Sequence, residues 1–191
     1  MFLKHILAAA AIAILPVGVS AAPYVLDKSH AHVTFSVDHL GFSSVHGQFR
    51  SFDASIDFDP GNVEATRVSF TIDAASVDTF WEARDKHVRS KDFLDVENHP
   101  TITFTTTSVT PTGAESADVT GDLTIRGVTR PVTLQARLNK LGPSPFNPAK
   151  TIAGFTVEGE IDRTEFGVSY AAPAVSAIVP IRIELEMSPA E

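Results

Sequence analysis

Apolar residues recur at every second position over most of this chain. Val33, Phe35 and Val37, for example, alternate with polar residues. This period of two places the apolar side chains of an extended strand on one face, because successive side chains of a strand point to opposite sides. Segments with one apolar face must fold into sheets that cover those faces.

The pattern predicts eight strands in one domain, residues 22-191, with no linker-like change of composition inside it. Turn sequences such as "DPGN" and "TPTGAE" separate the strands and indicate an antiparallel meander. Eight such strands can close into a barrel or stack as a sandwich. Their apolar positions are Val33, Phe35 and Val37; Phe52, Ala54, Ile56 and Phe58; Val68, Phe70 and Ile72; Ile102 and Phe104; Val119, Leu123 and Ile125; Val132, Leu134 and Leu138; Phe155, Val157 and Ile161; and Val179, Ile181, Ile183 and Leu185.

Residues 1-21 have the composition of a secretory signal peptide. Lys4 precedes the apolar run "ILAAAAIAILPVGV", which is too short to span a bilayer. Small residues follow, with Val19 and Ala21 at the positions that a cleavage site requires. We therefore expect export and cleavage after Ala21, which leaves residues 22-191 as the mature chain.

Charge and aromatic content exclude several classes of protein. The net charge is −8, and loss of Lys4 with the signal peptide makes the mature chain more acidic still, which disfavours nucleic acids and anionic membrane surfaces as partners. With only 2 Tyr and 1 Trp the chain lacks the aromatic girdles of a membrane-spanning barrel. No cysteine is present, so the apolar core must stabilise the domain without disulfides.

The stretch "SVDTFWEARDKHVRSKDF", residues 76-93, breaks the alternation. Its period becomes helical, and we predict a short helical insertion over about residues 79-94. Two acidic-to-basic pairs spaced by four residues, Glu82 with Lys86 and Asp85 with Arg89, are typical of a solvated helix face.

A second face of the predicted helix is basic and aromatic. Phe80, Arg84 and His87 fall on one stripe, with Trp81 beside it. Such a stripe suits an anionic headgroup at the mouth of an apolar cavity. The alternative is that Arg84 pairs with a carboxylate on a neighbouring strand. The 13 Phe residues favour a dry interior, because Phe has no polar group that needs a partner.

The histidines permit a different function. His30 and His32 are two residues apart, so one face of a strand could present both as metal ligands. Neither cysteine nor clustered carboxylates complete such a site in the sequence, and no nucleophile elbow or phosphate-binding loop is visible. The residues therefore indicate neither an enzyme nor a cofactor, and a His-based metal-binding envelope protein remains the alternative.

Several motifs in a fixed order resemble those of the YceI family, the lipid- and polyisoprenoid-binding proteins of the bacterial envelope. They are "YVLDKSHAHVTFSVDHLG", "RDKHVRSKDFLDVENHPTITF", "TGDLTIRGVTRPV" and "RTEFG", and they span the mature chain. The matching positions include Tyr24, Asp27, His30, Phe35, His39, Gly47, Arg84, Asp85, His87, Arg89, Phe93, Phe104, Gly121, Gly127, Phe155, Arg163 and Gly167.

The resemblance implies an eight-stranded, lipocalin-like antiparallel barrel that holds a long isoprenoid chain in its apolar interior. It implies no catalysis, no cofactor and a periplasmic location. Isoprenoid diphosphates, quinones and other amphiphilic lipids are all compatible with it. A homodimer is compatible with the sequence as well.

Taken together, the residues and the resemblance predict a periplasmic lipid-binding or carrier protein that is not an integral membrane protein. A β-sandwich interaction module with a solid core is the structural alternative. The predicted ligand-binding residues are Phe35, Val37, His39, Phe70, Ile72, Phe80, Trp81, Arg84, His87, Phe104 and Phe155.

Overall fold

The structure, a computed structural model, describes residues 21–190 and consists mostly of strands. The signal peptide predicted over residues 1-21 therefore falls, apart from its last residue, outside the described residues. The strands are β1 (Ala22–His39), β2 (Ser43–Phe49), β3 (Phe52–Phe58), β4 (Arg67–Asp73), β5 (Val77–Asp78), β6 (Thr101–Pro111), β7 (Ser116–Ile125), β8 (Val128–Pro143), β9 (Thr151–Asp162) and β10 (Ile178–Pro189), and the helix is α1 (Glu82–Arg89).

The strands form a closed antiparallel barrel, which confirms the predicted fold class and excludes the sandwich. Neighbours follow the order β10-β9-β8-β7-β6-β4-β3-β1, and β1 pairs with β10 to close the ring. The short strands β2 and β5 continue β3 and β4 along the same neighbours, so the barrel has eight strands. Closure pairs the first strand with the last, so neither of them is left as an open edge.

The two ends of the barrel differ in how they are filled. Edge-to-face aromatic contacts join Tyr24 to Phe58 at 5.3 Å and Phe58 to Phe155 at 5.4 Å, between ring centroids. We call this end the base. The opposite end, which we call the mouth, is bordered by α1 and by residues 163–177, whose side chains reach into the barrel. The buried core cluster of the base comprises Tyr24, Ile56, Phe58, Ala153 and Met187.

Arg163 holds residues 163–177 in place at the mouth. Its guanidinium is buried, with 8% of the residue exposed, and its burial lowers its pKa. Every nitrogen of the group donates to the backbone of this segment, so one cation fixes a loop whose only regular structure is a short 3-10 helix, Arg163–Phe166. The acceptors are Ser176 O at 2.9 Å from Nε, Val168 O and Tyr170 O at 2.6 and 3.1 Å from Nη1, and Val175 O at 2.8 Å from Nη2.

A bulge interrupts the pairing of β1 with β10 between Asp27 and His32. Ser29 donates to Asp27 Oδ1 through its backbone N at 3.0 Å and its hydroxyl at 2.6 Å, and His30 Nδ1 lies 2.9 Å from Asp27 Oδ2. These bonds, the Ser29 hydroxyl first, lower the pKa of Asp27 to about 2. The same carboxylate raises the pKa of His30. The bulge is therefore held by a pair that carries opposite charges in mildly acidic solution.

The stability of this pair depends on pH in both directions. Because the pKa of Asp27 is depressed, its contribution is present above its unfolded value of 3.8 and is lost as pH falls through about 2. Because the pKa of His30 is raised, its contribution is complete below its unfolded value of 6.5 and is lost as pH rises through the folded value. Replacing Asp27 by Asn should therefore destabilise the protein most between these two unfolded values.

NMR titration of the His30 imidazole measures the same interaction directly. Asp27→Asn should move the pKa of His30 down toward 6.5, because its main anionic partner is gone. Asp53→Asn is the matched control, since Asp53 pairs with Lys28 and should leave His30 unchanged. An unaltered His30 titration in Asp27→Asn would contradict the assignment.

Replacing Arg163 by Met should destabilise the barrel far more than the same change at an exposed arginine. Hydrogen bonds to a charged group are each worth roughly 1.5–3 kcal/mol, so the loss of several should cost at least about 3 kcal/mol. For a domain of this size that lowers Tm by roughly 6–12 °C. Arg182→Met is the control, because Arg182 pairs with Glu158 and Glu184 at the exposed surface and its replacement should leave Tm almost unchanged. Equal shifts in thermal unfolding would show that Arg163 does not anchor the loop.

Candidate ligand-binding cavity

The barrel interior contains a cavity of about 710 Å³. Its wall is made of the inward faces of the strands, and those faces are apolar because the alternating residues of each strand point to the same side. The structure brings the following predicted residues together around this space: Phe35, Val37, His39, Phe70, Ile72, Arg84, His87, Phe104 and Phe155.

Two glycines let large rings lie against the wall. A Cβ on Gly47 would lie 2.3 Å from the ring of Phe35, its partner across β1 and β2. A Cβ on Gly121 would lie 2.4 Å from the ring of Phe104 and 2.5 Å from the carbonyl oxygen of Thr105. Since real atoms do not approach so closely, both rings occupy space that any other residue at these positions would fill. The period of two predicts which Phe residues face inward, but it does not predict these paired glycines.

Arg84 is a cation at the mouth that lacks a carboxylate partner among residues 21–190. Its Nε donates to Thr79 Oγ1 at 2.8 Å and its Nη2 donates to Thr79 O at 2.6 Å. The carboxylate of Asp85 is buried below and accepts from the Thr79 backbone N at 2.7 Å. Thr79 therefore fixes both side chains, and Arg84 keeps Nη1 free on a half-buried group that lines the cavity. The alternative that the sequence allowed, an ion pair between Arg84 and a carboxylate on a neighbouring strand, is not formed within residues 21–190.

His87 also lines the cavity, but its Nε2 already has a carboxylate partner. Its Nε2 lies 3.1 Å from Asp92 Oδ2. Its ring makes edge-to-face contacts with Phe93 and Tyr170, each at 5.0 Å between centroids. His87 therefore joins α1 to residues 163–177, which we call the mouth loop. Arg84 is the better candidate for binding an anionic headgroup.

Phe80 and Trp81 lie outside the cavity. The helix begins at Glu82, so both residues precede it, and Phe80 has a φ of 65°. The prediction that Phe80 and Arg84 share one face of a helix is therefore wrong, because Phe80 does not belong to the helix. Both side chains are mostly exposed, and the guanidinium of Arg84 lies 5.6 Å from the Trp81 ring centroid. The predicted insertion exists, but its helix is shorter than residues 79-94.

Arg89 does not form the solvated pair with Asp85 that the sequence suggested. Its Nε donates to Ala75 O at 2.8 Å and its Nη2 donates to Val77 O at 2.9 Å. Asp85 instead binds Thr79. Arg89 therefore fastens α1 to the segment between β4 and β5. Spacing of four residues suggested a surface pair because sequence alone does not show that one side of this helix packs on the barrel.

Several lining residues of the mouth were missed by the sequence reasoning about the cavity. Val88 lies in α1, but the chain around the others has no strand or helix period, so pattern alone could not assign them a direction. The resemblance marks two of them, Phe93 and Arg163, without showing that they line the cavity. The residues are Leu40, Val88, Phe93, Leu94, Arg163, Val168, Tyr170 and Val175.

The histidine pair considered as a metal site is not the cluster that forms. Ligand atoms of His30, Asp27 and Glu186 lie within 4.8 Å of one another, and His32 does not belong to this group. The cluster is outside the cavity, and Asp27 already binds the His30 Nδ1. Within residues 21–190, none of the helices has the length and apolar character needed to cross a bilayer.

Comparison with known proteins agrees with this architecture. The sequence model of the YceI-like domain family matches residues 24–187 of this chain. Protein YceI of Escherichia coli O157:H7 is 44% identical over 168 residues, covering 87% of this chain and 86% of that protein. Among solved structures, Burkholderia cenocepacia BcnA superposes with a TM-score of 0.76 at 26% identity, covering 84% of this chain and 98% of that one.

A more distant structure shares the fold alone. It is a polyisoprenoid binding domain from Saccharophagus degradans, with a TM-score of 0.67 at 15% identity, and it covers 88% of this chain and 99% of that one. The family match extends over nearly the whole described barrel, from the first strand to the last. The chain therefore belongs to the family of YceI-like domain proteins.

Proposed function

We propose that this protein is a periplasmic carrier that holds a long-chain isoprenoid or a similar amphiphilic lipid in its barrel. The observation that carries the proposal is an apolar cavity of about 710 Å³ with an arginine at its mouth that has no carboxylate partner in the described chain. This volume lies in the range of about 300–1,000 Å³ that is usual for small-molecule sites.

The apolar wall explains why a hydrocarbon chain would enter. Each CH2 removed from water is worth about 0.8 kcal/mol, so a long chain cannot cross an aqueous compartment without a shield. The closed sheet supplies that shield, because its backbone polar groups pair within the wall and most of the side chains that face the cavity are apolar. Part of the gain is lost to ordering the chain and to association itself.

The mouth explains how a headgroup would be held. A planar guanidinium can donate to two oxygens of a phosphate at once and stays charged at any working pH. Arg84 is fixed by Thr79, so little conformational freedom is lost when it binds. We assign it the headgroup, with the chain running inward past Phe35, Phe70 and Phe104.

Family membership and the composition of residues 1-21 support the rest of the proposal. A protein of this fold from Saccharophagus degradans is described as a polyisoprenoid binding domain. The signal peptide expected over residues 1-21 would deliver the domain of residues 22-191 to the periplasm. No arrangement of nucleophile and base stands out in the cavity, and we assign the protein no catalytic activity.

Protein purified from its native envelope should release a lipid into organic solvent, which mass spectrometry would identify. Val37→Trp should lower the amount of bound lipid while the barrel still folds, because the larger ring fills cavity space and overpacking typically costs roughly 1–3 kcal/mol. Val25→Trp is the control, since Val25 is 57% exposed and lies outside the cavity. Unchanged lipid in a folded Val37→Trp protein would sink the cavity as the binding site.

Headgroup recognition is tested by neutralising Arg84. Arg84→Gln should weaken a prenyl diphosphate by roughly ten- to a hundredfold, since a charge-assisted hydrogen bond is worth about 1.5–3 kcal/mol. A prenyl alcohol of equal chain length should bind almost as before. Arg130→Gln removes the same charge from an exposed side chain outside the cavity and should change neither affinity. Equal losses for both lipids in Arg84→Gln would show that Arg84 only supports the helix.

A further inference from the structure

Most of the large apolar side chains that the described structure leaves exposed lie at the mouth. Phe42 is 88% exposed and Trp81 is 61% exposed. Elsewhere only Val25, Leu141 and Phe146 are comparable, and they lie toward the base. We call the exposed group at the mouth the rim. It comprises Leu40, Phe42, Phe80, Trp81, Tyr170 and Ile178.

Defined contacts bring these residues to one end of the molecule. The backbone N of Leu40 donates to Ala174 O at 3.0 Å, which ties the turn between β1 and β2 to the mouth loop. Tyr170 of that loop packs on His87 of α1. Phe80 and Trp81 lead directly into α1. The rim therefore lies at the end of the barrel where α1 and residues 163–177 border the cavity.

The backbone holds the rim side chains outward. Phe80 has a φ of 65°, and its backbone N donates to Asp78 Oδ1 at 2.9 Å. Leu40 has a φ of 61°, and the next residue donates its backbone N to Asp38 Oδ1 at 2.9 Å. A left-handed conformation is costly for a residue other than glycine. Two such residues are thus held where they expose apolar side chains instead of burying them.

The composition of the rim matches a phospholipid surface. Trp and Tyr favour the boundary between headgroups and acyl chains, and Phe favours the chains beneath. The guanidinium of Arg84 lies 5.6 Å from the Trp81 ring centroid, and two exposed lysines, Lys86 and Lys91, follow on α1 and on the turn after it. These cations complement the phosphate that every phospholipid carries. The net charge of −8 opposes a general attraction to acidic membranes, so insertion of the rim has to supply most of the binding.

We propose that the rim docks on a phospholipid bilayer, with Phe42, Phe80 and Trp81 among the lipids and the cavity opening toward the membrane. The proposal extends the carrier function proposed above, because a lipid could then pass between bilayer and barrel without crossing water. Docking itself requires no bound cargo.

Vesicles of phosphatidylethanolamine and phosphatidylglycerol, prepared without any isoprenoid, provide the probe. Trp81 is the only tryptophan, so its fluorescence reports the rim alone. On vesicle binding its emission should shift to the blue and be quenched by lipids brominated near the headgroup end of the chain. The double variant Phe42→Ser, Phe80→Ser should weaken vesicle binding at least about tenfold. Phe146→Ser removes a ring that is 98% exposed at the base and should leave binding unchanged.

Three results would overturn the proposal. One is an absence of vesicle binding, and another is an equal loss in Phe146→Ser. The third is a dimer that Phe42→Ser dissociates in protein that does not bind vesicles, which would assign the rim to a second copy of the chain. Lipid recovered by solvent extraction from protein that ignores vesicles would leave the carrier function standing and remove only docking. Vesicle binding by protein that never contains lipid would leave docking standing and remove the carrier function.

Discussion

Pairing of the first strand with the last is the interaction on which the other features depend. Through the contacts of β1 with β10, from Tyr24 opposite Pro189 to Phe35 opposite Ile181, a meander becomes a ring. In an open sheet the apolar face would have to be covered by a second layer. In a closed ring that face covers itself, and the wall satisfies its own backbone hydrogen bonds. The interior can therefore stay apolar without being filled, as the cavity of about 710 Å³ shows.

Two arginines at the mouth show how the same side chain can serve structure or binding. Arg163 is buried and donates from all its guanidinium nitrogens to backbone carbonyls, so its charge stabilises a loop and is not available to a ligand. Arg84 is held on one side by Thr79 and keeps Nη1 without a hydrogen-bond partner, and it forms no ion pair with a carboxylate of the described chain. The difference lies in the partners, and the proposed carrier function depends on it.

The sequence predicts the positions of side chains well in the regular strands and poorly in the irregular segments at the mouth. Phe35, Val37, Phe70 and Phe104 were placed on the wall because a period of two fixes which side of a strand each residue faces. The helix was found, yet its stripe failed at Phe80, where the backbone turns left-handed before the helix begins. The spacing also fails for Arg89, which pairs with Glu82 at 3.4 Å and otherwise donates to carbonyls that the tertiary fold brings near. Arg163 belongs to the same class, and spacing in the sequence carries no information about such contacts.

The central claim is that the barrel interior holds the hydrocarbon chain. Photo-crosslinking with a prenyl diphosphate that carries a diazirine at the far end of its chain tests it most directly, with the modified residues located by peptide mass spectrometry. The account predicts adducts on inward-facing residues deep in the barrel, such as Phe70, Leu134 and Met187, and their loss when unlabelled lipid competes. Adducts confined to exposed side chains on the outer surface, such as Val25 or Phe146, would contradict it.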